Sequence, residues 1–303
     1  MTRDRSPVLR RQFRLPIESG WLHVNEWGSR DADVTVVLTH GWSLSSRSWE
    51  DVAELLVTTD PALRVVAYDH RGHGSSSIAP ASIDILADDL AALLRAHVPD
   101  GPIVFGGHSL GGMTLMALAQ HYPAVIEERV FGAAFVATSA GDLLGAIRKV
   151  RGVDLLLRAG LVVSSRLRVP SRPLILARQG TRGALFGTRP RRRDMNRSIQ
   201  QVAQANPRAV ASLGRSLLRH NRYEALAKFS DVDVVVMAGT KDWLTSPAHA
   251  RRIAQLIPNS QVVVYEGAGH HLPYERREAV AAQLLALTTK ARASAWQLEG
   301  SAG

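Results

Sequence analysis

The stretch from Ile103 to Gly112 reads I-V-F-G-G-H-S-L-G-G. It sets one serine, Ser109, among glycines, straight after a run of strand formers and straight before an apolar pattern with helical spacing. The core of the stretch, Gly107-His108-Ser109-Leu110-Gly111, has the form G-x-S-x-G at the point where strand should give way to helix. A serine exposed at so sharp a turn sits on strained backbone, and the small residues Gly107 and Gly111 relieve the crowding on either side of it. The Leu110 amide then points outward at a helix N-terminus, where it can donate to an oxyanion. The competing reading is a serine that only caps a helix. Strand before and helix after favour the nucleophile.

A serine hydroxyl is a poor nucleophile at neutral pH, so this reading requires a base and a group that orients the base. Two later segments supply them in a compatible chain order. G-T-K-D-W-L-T follows a strand pattern and places Asp242 in the loop beyond it, and G-A-G-H-H-L-P-Y-E does the same for His270. His270 is preferred over His271 because Gly267 and Gly269 immediately precede it, which leaves His271 as a packing or pocket residue. Asp142, just after the strand pattern that ends at Ser139, is a second possible acid. For the second oxyanion donor the chain offers His40-Gly41-Trp42, where Gly41 lets the backbone approach and the Trp42 amide can face the site. His40 reads as structural. The run Asp69 to Ser75 (DHRGHGS) reads as a tight turn bracing the floor of the site, without chemistry of its own.

Outward from this stretch, short β-branched runs recur with helical patterns between them. The runs are VTVVLTH, LRVVAYD, IVFGG, VFGAAFVATS, VDVVVMAGT and QVVVYEGAG; SWEDVAELL, SIDILADDLAALLRAH, LMALAQHY, PAHARRIAQLI and the stretch Tyr274 to Leu287 read as helices. Near-continuous apolar runs suit strands buried on both faces, and the alternation implies a mostly parallel, doubly wound α/β sheet. RQFRLPI and WLHVNEW fit an antiparallel hairpin at its edge. The alternation breaks after Ser139 and resumes near Asp231. The expected division is a core of residues 1–138 and 230–292, a helical, Arg-rich cap over 139–229, and a frayed tail over 293–303. Within the cap, GTRGALFGTRPRRRD looks like a loop, whereas SIQQVAQAN and AVASLGRSLLRHN look helical.

The chain has 303 residues, 46% of them hydrophobic, enough for one large domain or a domain with an insertion. It has no cysteine, which excludes disulfides, thiolate metal sites and a cysteine nucleophile. The charged start, MTRDRSPVLRRQFRLP, has no apolar stretch behind it, so the expectation is a cytoplasmic protein without an ordinary signal peptide. The formal charge of +10 is concentrated. Ser139 to Phe229 holds 19 of the 37 Lys and Arg against four acids, leaving 18 bases against 23 acids elsewhere. The arginines read first as a solvated face and next as a contact for an anionic membrane surface. A steering patch for an anionic substrate comes third. Nucleic acid is disfavoured, because no stacking aromatics interleave the basic residues.

In order along the chain, THGW, YDHRGHGSS, GGHSLGG, GTKDWLTSP and GAGHHLPYE resemble the α/β-hydrolase fold family, in particular its cap-bearing serine hydrolases. That branch includes esterases, lipases, carbon–carbon hydrolases and haloperoxidase-like enzymes. The resemblance runs from about Phe13 to Leu287 and is thinnest over the cap. It implies Ser109 as nucleophile, His270 as general base, Asp242 as its orienter, and the Trp42 and Leu110 amides as oxyanion donors, with no metal and no cofactor. Serine at the nucleophile position counts against epoxide hydrolysis and dehalogenation, which use aspartate there. Ser43 follows Trp42 where haloperoxidase-like members usually carry proline, which counts against perhydrolysis.

The leading expectation is therefore hydrolysis of a small to medium or lipid-like carboxylic ester through an acyl-enzyme. Apolar patches at Leu155 to Val163, Leu174 to Leu176 and Ala184 to Phe186 are expected to wall an acyl pocket or to form the cap's own core. Carbon–carbon bond hydrolysis or thioester cleavage by the same residues is the alternative; the former requires a cation for a substrate carboxylate. A non-catalytic ligand receptor on the same fold is the reading from another class.

Overall fold

The computed structural model describes residues 10–143, 159–162, 165 and 175–301. An N-terminal hairpin of β1 (Arg10–Ile17) and β2 (Gly20–Gly28) is followed by β3 (Val34–Thr39), α1 (Glu50–Thr59), β4 (Leu63–Tyr68), α2 (Ile83–His97) and β5 (Ile103–His108). Then come α3 (Leu110–His121), α4 (Pro123–Arg129) and β6 (Val130–Val136). Between β6 and β7 (Asp233–Gly239) lie α5 (Ile175–Leu185), α6 (Arg192–Gln204) and α7 (Pro207–Arg219). The chain closes with α8 (Pro247–Ala254), β8 (Gln261–Tyr265), α9 (Leu272–Glu275) and α10 (Arg277–Ser301).

The eight strands form one sheet in the order β1-β2-β4-β3-β5-β6-β7-β8. β1 and β2 pair antiparallel, β2 meets β4 antiparallel, and the remaining neighbours are parallel. Both the doubly wound sheet and the edge hairpin expected from the sequence are present. The chain leaves β3 toward β4 on one side and resumes at β5 on the other, so the winding reverses between β3 and β5. In open α/β sheets ligands bind outside the carboxyl ends of strands at such a reversal, and the loops after β3 and β5 carry Trp42 and Ser109.

Strand residues alternate between two cores. Along β7, Val234, Val236 and Ala238 face the layer that holds α2, α3 and α8, whereas Val235 and Met237 face the layer of α1 and α10. This two-sided burial is why the strand runs carry hardly any polar residue. Local signals start the helices. Ser82 accepts from the Ile85 amide at 3.2 Å to cap α2, and Asn206 accepts from the Arg208 and Ala209 amides to cap α7, with Pro207 in its first turn.

Two expectations need correction. The stretch 180–194, read as a loop for its glycines and arginines, contributes its first six residues to α5 and its last three to α6. Residues 293–303, read as a frayed tail, instead continue α10 as far as Ser301. That helix packs on the sheet through Val280, Leu284, Leu287 and Ala291, and the small, helix-tolerant residues after Ala291 prolong it. Of the apolar patches expected in the cap, Leu155 to Leu157, Val163 and Leu174 lie outside the described residues. Among the described residues no helix is long and apolar enough to cross a membrane. The basic segment is not uniformly solvated: Arg191, Arg192 and Arg193 are exposed, but Arg197 is buried against Glu50 and Asp51 of α1.

Candidate active site

Ser109 joins β5 to α3 with φ 52° and ψ −116°, a conformation that side chains other than glycine rarely adopt. The neighbouring glycines are there because nothing larger fits. A side-chain carbon at Gly111 would lie 2.2 Å from the Thr39 carbonyl oxygen, and one at Gly107 would lie 2.7 Å from Gly112 Cα. Across the turn, a side-chain carbon at Gly41 would stand 3.3 Å from Ser109 Cβ, so the loop after β3 lies directly against the serine.

The structure brings Ser109, His270 and Asp242 together. His270 Nδ1 is 2.8 Å from Asp242 Oδ2, and its Nε2 is 2.9 Å from Ser109 Oγ. A carboxylate can only accept, so Nδ1 carries the proton and Nε2 presents its lone pair to the serine hydroxyl. Asp242 and His270 are each 4% exposed. Burial pushes the Asp242 carboxyl up, but the adjacent His270 ring and the Thr245 amide and hydroxyl outweigh it and hold the group far below the usual carboxylate range. Thr245 Oγ1 donates to Asp242 Oδ2 at 2.8 Å, while the Leu244 and Thr245 amides donate to Oδ1 at 2.8 and 3.0 Å. A hydroxyl, an imidazole and an ionised carboxylate in this series can withdraw the hydroxyl proton and stabilise the imidazolium that results.

Asp142 is not part of this series. Its side chain is 60% exposed and pairs with Arg252 at the surface. His271 is buried between Phe186 and Tyr274, the packing role expected of it. His108 Nε2 donates to the His270 carbonyl at 2.9 Å and so ties the strand end that precedes Ser109 to His270. Burial pushes the His108 imidazole down to about 3, which keeps it neutral.

The loop after β3 is pinned amide by amide. Ser43 N–H donates to His73 Nε2 at 3.2 Å, Leu44 N–H to the Gly41 carbonyl at 3.1 Å, Ser45 N–H to Gln201 Oε1 at 2.9 Å and Ser46 N–H to Asp69 Oδ1 at 2.8 Å. Among the described residues, neither the Trp42 amide nor the Leu110 amide, the first of α3, has a protein acceptor. Hydrogen-bonding capacity is therefore left at the two donors chosen from the sequence. The Asp69–Ser75 turn braces this loop as expected, through Asp69 and His73. His40 is structural: its Nδ1 donates to the Gly41 carbonyl and its Nε2 accepts from the His70 amide at 2.9 Å.

A cavity of about 630 Å³ opens on Ser109 and His270. Its walls are mainly apolar, with Trp42 and Met113 from the core and Leu143, Leu161, Leu185, Val202, Leu217 and Leu218 from the segment between β6 and β7. No Lys, Arg, Asp or Glu is among the described residues that line it. Leu244 stands at its edge, and beside it Trp243 is 79% exposed. Among the described residues no group of His, Asp and Glu is arranged to hold a metal ion.

Three contributors carry weak sequence signals or none. Thr245 follows Asp242 by three residues, the spacing of an aspartate-led turn, and could have been found. His73 lay in a turn already suspected of bracing the site. Gln201 had no local mark, because Ser45 is 156 residues away.

The chain matches the α/β-hydrolase fold family over residues 34–276. It is 28% identical over 282 residues to a non-heme chloroperoxidase of Streptomyces lividans, covering 86% of this chain and 93% of that protein. It is also 28% identical, over 268 residues, to a pimeloyl-[acyl-carrier protein] methyl ester esterase of Neisseria meningitidis, covering 83% of this chain and 92% of the relative. A solved structure of a thermophilic esterase from Thermogutta terrifontis superposes with a TM-score of 0.75 at 24% identity, covering 94% of this chain and 99% of that one. The reversal of the sheet, the strained serine at the end of β5 and a match across most of the chain lead to one assignment: this protein is a member of the α/β-hydrolase fold family.

Proposed function

We propose that the protein hydrolyses carboxylic esters with an uncharged, apolar acyl group. The observation that carries this reading is the continuous hydrogen-bonded series from Asp242 through His270 to Ser109, at the floor of an apolar cavity. In the first step Ser109 Oγ attacks the ester carbonyl as its proton passes to His270 Nε2, and Asp242 holds the imidazolium in place. The Trp42 and Leu110 amides receive the charge that develops on the carbonyl oxygen. His270 then returns the proton to the leaving alcohol. Water, activated by the same imidazole, cleaves the acyl-serine.

The segment between β6 and β7 acts in this reading as a cap. It contributes Leu161, Leu185, Val202, Leu217 and Leu218 to the wall of the cavity and leaves the chemistry to the core. The relatives named as esterases are consistent with the reaction, whereas the apolar lining among the described residues offers no cation for a substrate carboxylate, as carbon–carbon hydrolysis would need. Hydrolysis of a p-nitrophenyl ester series from short to long acyl chains tests the proposal. Wild type should turn over with an optimum at medium chains, and Ser109→Ala should lose about 10⁴-fold or more in kcat at unchanged fold. Absence of turnover across the series, or a Ser109→Ala variant as active as wild type, would sink it.

A further inference from the structure

The side chain that holds the candidate oxyanion loop from outside the core is Gln201, on α6. It is 1% exposed and does not line the cavity. Its Oε1 accepts twice from Ser45, from the amide at 2.9 Å and from the hydroxyl at 2.9 Å. Its Nε2 donates to the Arg197 carbonyl at 3.1 Å and to the Tyr274 hydroxyl. Its hydrogen-bonding positions are therefore filled by Ser45, by Tyr274 and by the backbone of its own helix. Ser45 ends the loop that begins at Gly41 and presents the Trp42 amide, and Tyr274 belongs to α9, which starts two residues after His270. One buried amide thus spans the gap between the loop behind the oxyanion donor and the helix behind the base.

Neighbouring contacts separate this role from simple anchoring of α6. One turn earlier, Arg197 carries the electrostatic attachment to the core, with Asp51 at 2.8 Å and Glu50 at 2.8 Å, and it lies over the Tyr274 ring. Those bonds reach α1, and a further one, from Arg197 Nη2 to the Arg47 carbonyl at 3.1 Å, meets the chain just beyond Ser46 without touching the amides from Ser43 to Ser46. A second tie to the loop comes from α7, where the Val210 carbonyl accepts from Trp42 Nε1 at 2.9 Å. The loop amides from Ser43 to Ser46 are therefore fixed by three side chains and one turn bond, and only the acceptor at Ser45 comes from the cap. A loop whose amide at Ser45 lost its acceptor would leave a buried donor unpaired. It would relieve that cost by turning its peptides, and Trp42 lies three residues away.

We infer that Gln201 is a positioning residue that sets the oxyanion loop, so that the cap contributes to turnover and not only to substrate binding. The inference rests on ester hydrolysis at Ser109. Losing a whole oxyanion donor costs about 10²- to 10³-fold in kcat; a displaced one should cost less. Gln201→Leu, equal in size but unable to hydrogen-bond, should lower kcat about 10- to 100-fold with KM within about threefold. Its affinity for a trifluoromethyl ketone, which mimics the tetrahedral adduct, should fall in parallel with kcat/KM. Gln201→Glu keeps an acceptor for Ser45 and should recover much of kcat. Arg197→Met, which removes the attachment to α1, should lower Tm and leave kcat near wild type.

Amide hydrogen exchange supplies a readout that does not depend on turnover. Peptides covering residues 41–46 should exchange faster in Gln201→Leu than in Arg197→Met. Wild-type kcat in Gln201→Leu, or losses of kcat and Tm that match those of Arg197→Met, would overturn the role of Gln201 while leaving ester hydrolysis intact. An inactive wild type would instead overturn the ester reading, and the exchange comparison would still decide whether Gln201 holds the loop. If Gln201→Leu does not fold, Gln201→Met provides the same comparison with a more adaptable side chain.

Discussion

His40, His70 and His73, in the loops beyond β3 and β4, form one group with ring centroids 4.1 to 6.5 Å apart. His108, His270 and His271, at the end of β5 and beyond β8, form another at 5.1 to 5.9 Å. Composition and burial are alike in the two groups, and all six rings are nearly or fully inaccessible. Their partners differ. In the first group the partnered ring nitrogens meet backbone: His40 bonds Gly41 and His70, His70 bonds the His40 carbonyl, and His73 bonds the Arg71 carbonyl and the Ser43 amide. In the second, His270 alone lies between a carboxylate and a hydroxyl. A count of histidines near a pocket therefore says little about chemistry. What matters is whether a ring connects two side chains that can exchange a proton.

The widest separation between the groups should appear in turnover. His270→Ala should lose about 10⁴- to 10⁶-fold in kcat, because the proposed reaction needs His270 and Asp242 to act as a unit with Ser109. His73→Phe, which removes both the acceptor for the Ser43 amide and the donor to the Arg71 carbonyl, should lose about tenfold, and His73→Gln, which restores an acceptor, should lose less. Steady-state kinetics on one ester would decide; equal losses at positions 73 and 270 would erase the distinction drawn here.

One effect on stability, not on turnover, is shared by the two groups. Burial lowers the pKa of His40, His70, His73, His108 and His271, and for His70 and His108 down to about 3. The unfolded chain takes up protons below about pH 6.5 that the folded chain refuses, so stability is complete above that pH and falls as the pH drops. Each such histidine removes up to about 1.4 kcal/mol per pH unit below that point. Thermal melts at pH 7.5 and pH 5.5 should show a clearly lower Tm at the acid end. A flat profile would mean that the rings are more hydrated than their burial implies.

Much of this architecture could be read from the chain because its signals are local. The strand runs are apolar on both faces, the helical stretches between them carry apolar residues at spacings of three and four, and G-x-S-x-G sits where strand meets helix. Asp242 and His270 were legible for a related reason: each follows a strand directly, and a parallel sheet gathers such loops at one edge. The end of α5 from Gly180 to Leu185 was hidden by Gly180 and Gly183, whose poor helix propensity is overridden by packing of Leu185 and, just beyond the helix, Phe186. The helical end of α10 was hidden because a small, polar sequence satisfies a helix as readily as a tail. Gln201 and His73 act through partners far along the chain, and no window of sequence contains both ends of such a bond.

Trp243 has a practical use beyond the comparison of histidines. It separates Asp242 from Leu244 at the edge of the cavity, yet most of its own ring is exposed. Since the chain contains no cysteine, Trp243→Cys would create its sole thiol. A dye attached there would sit beside the cavity without displacing any residue of the Asp242–His270–Ser109 series, and its emission would report arrival and departure of a ligand in real time.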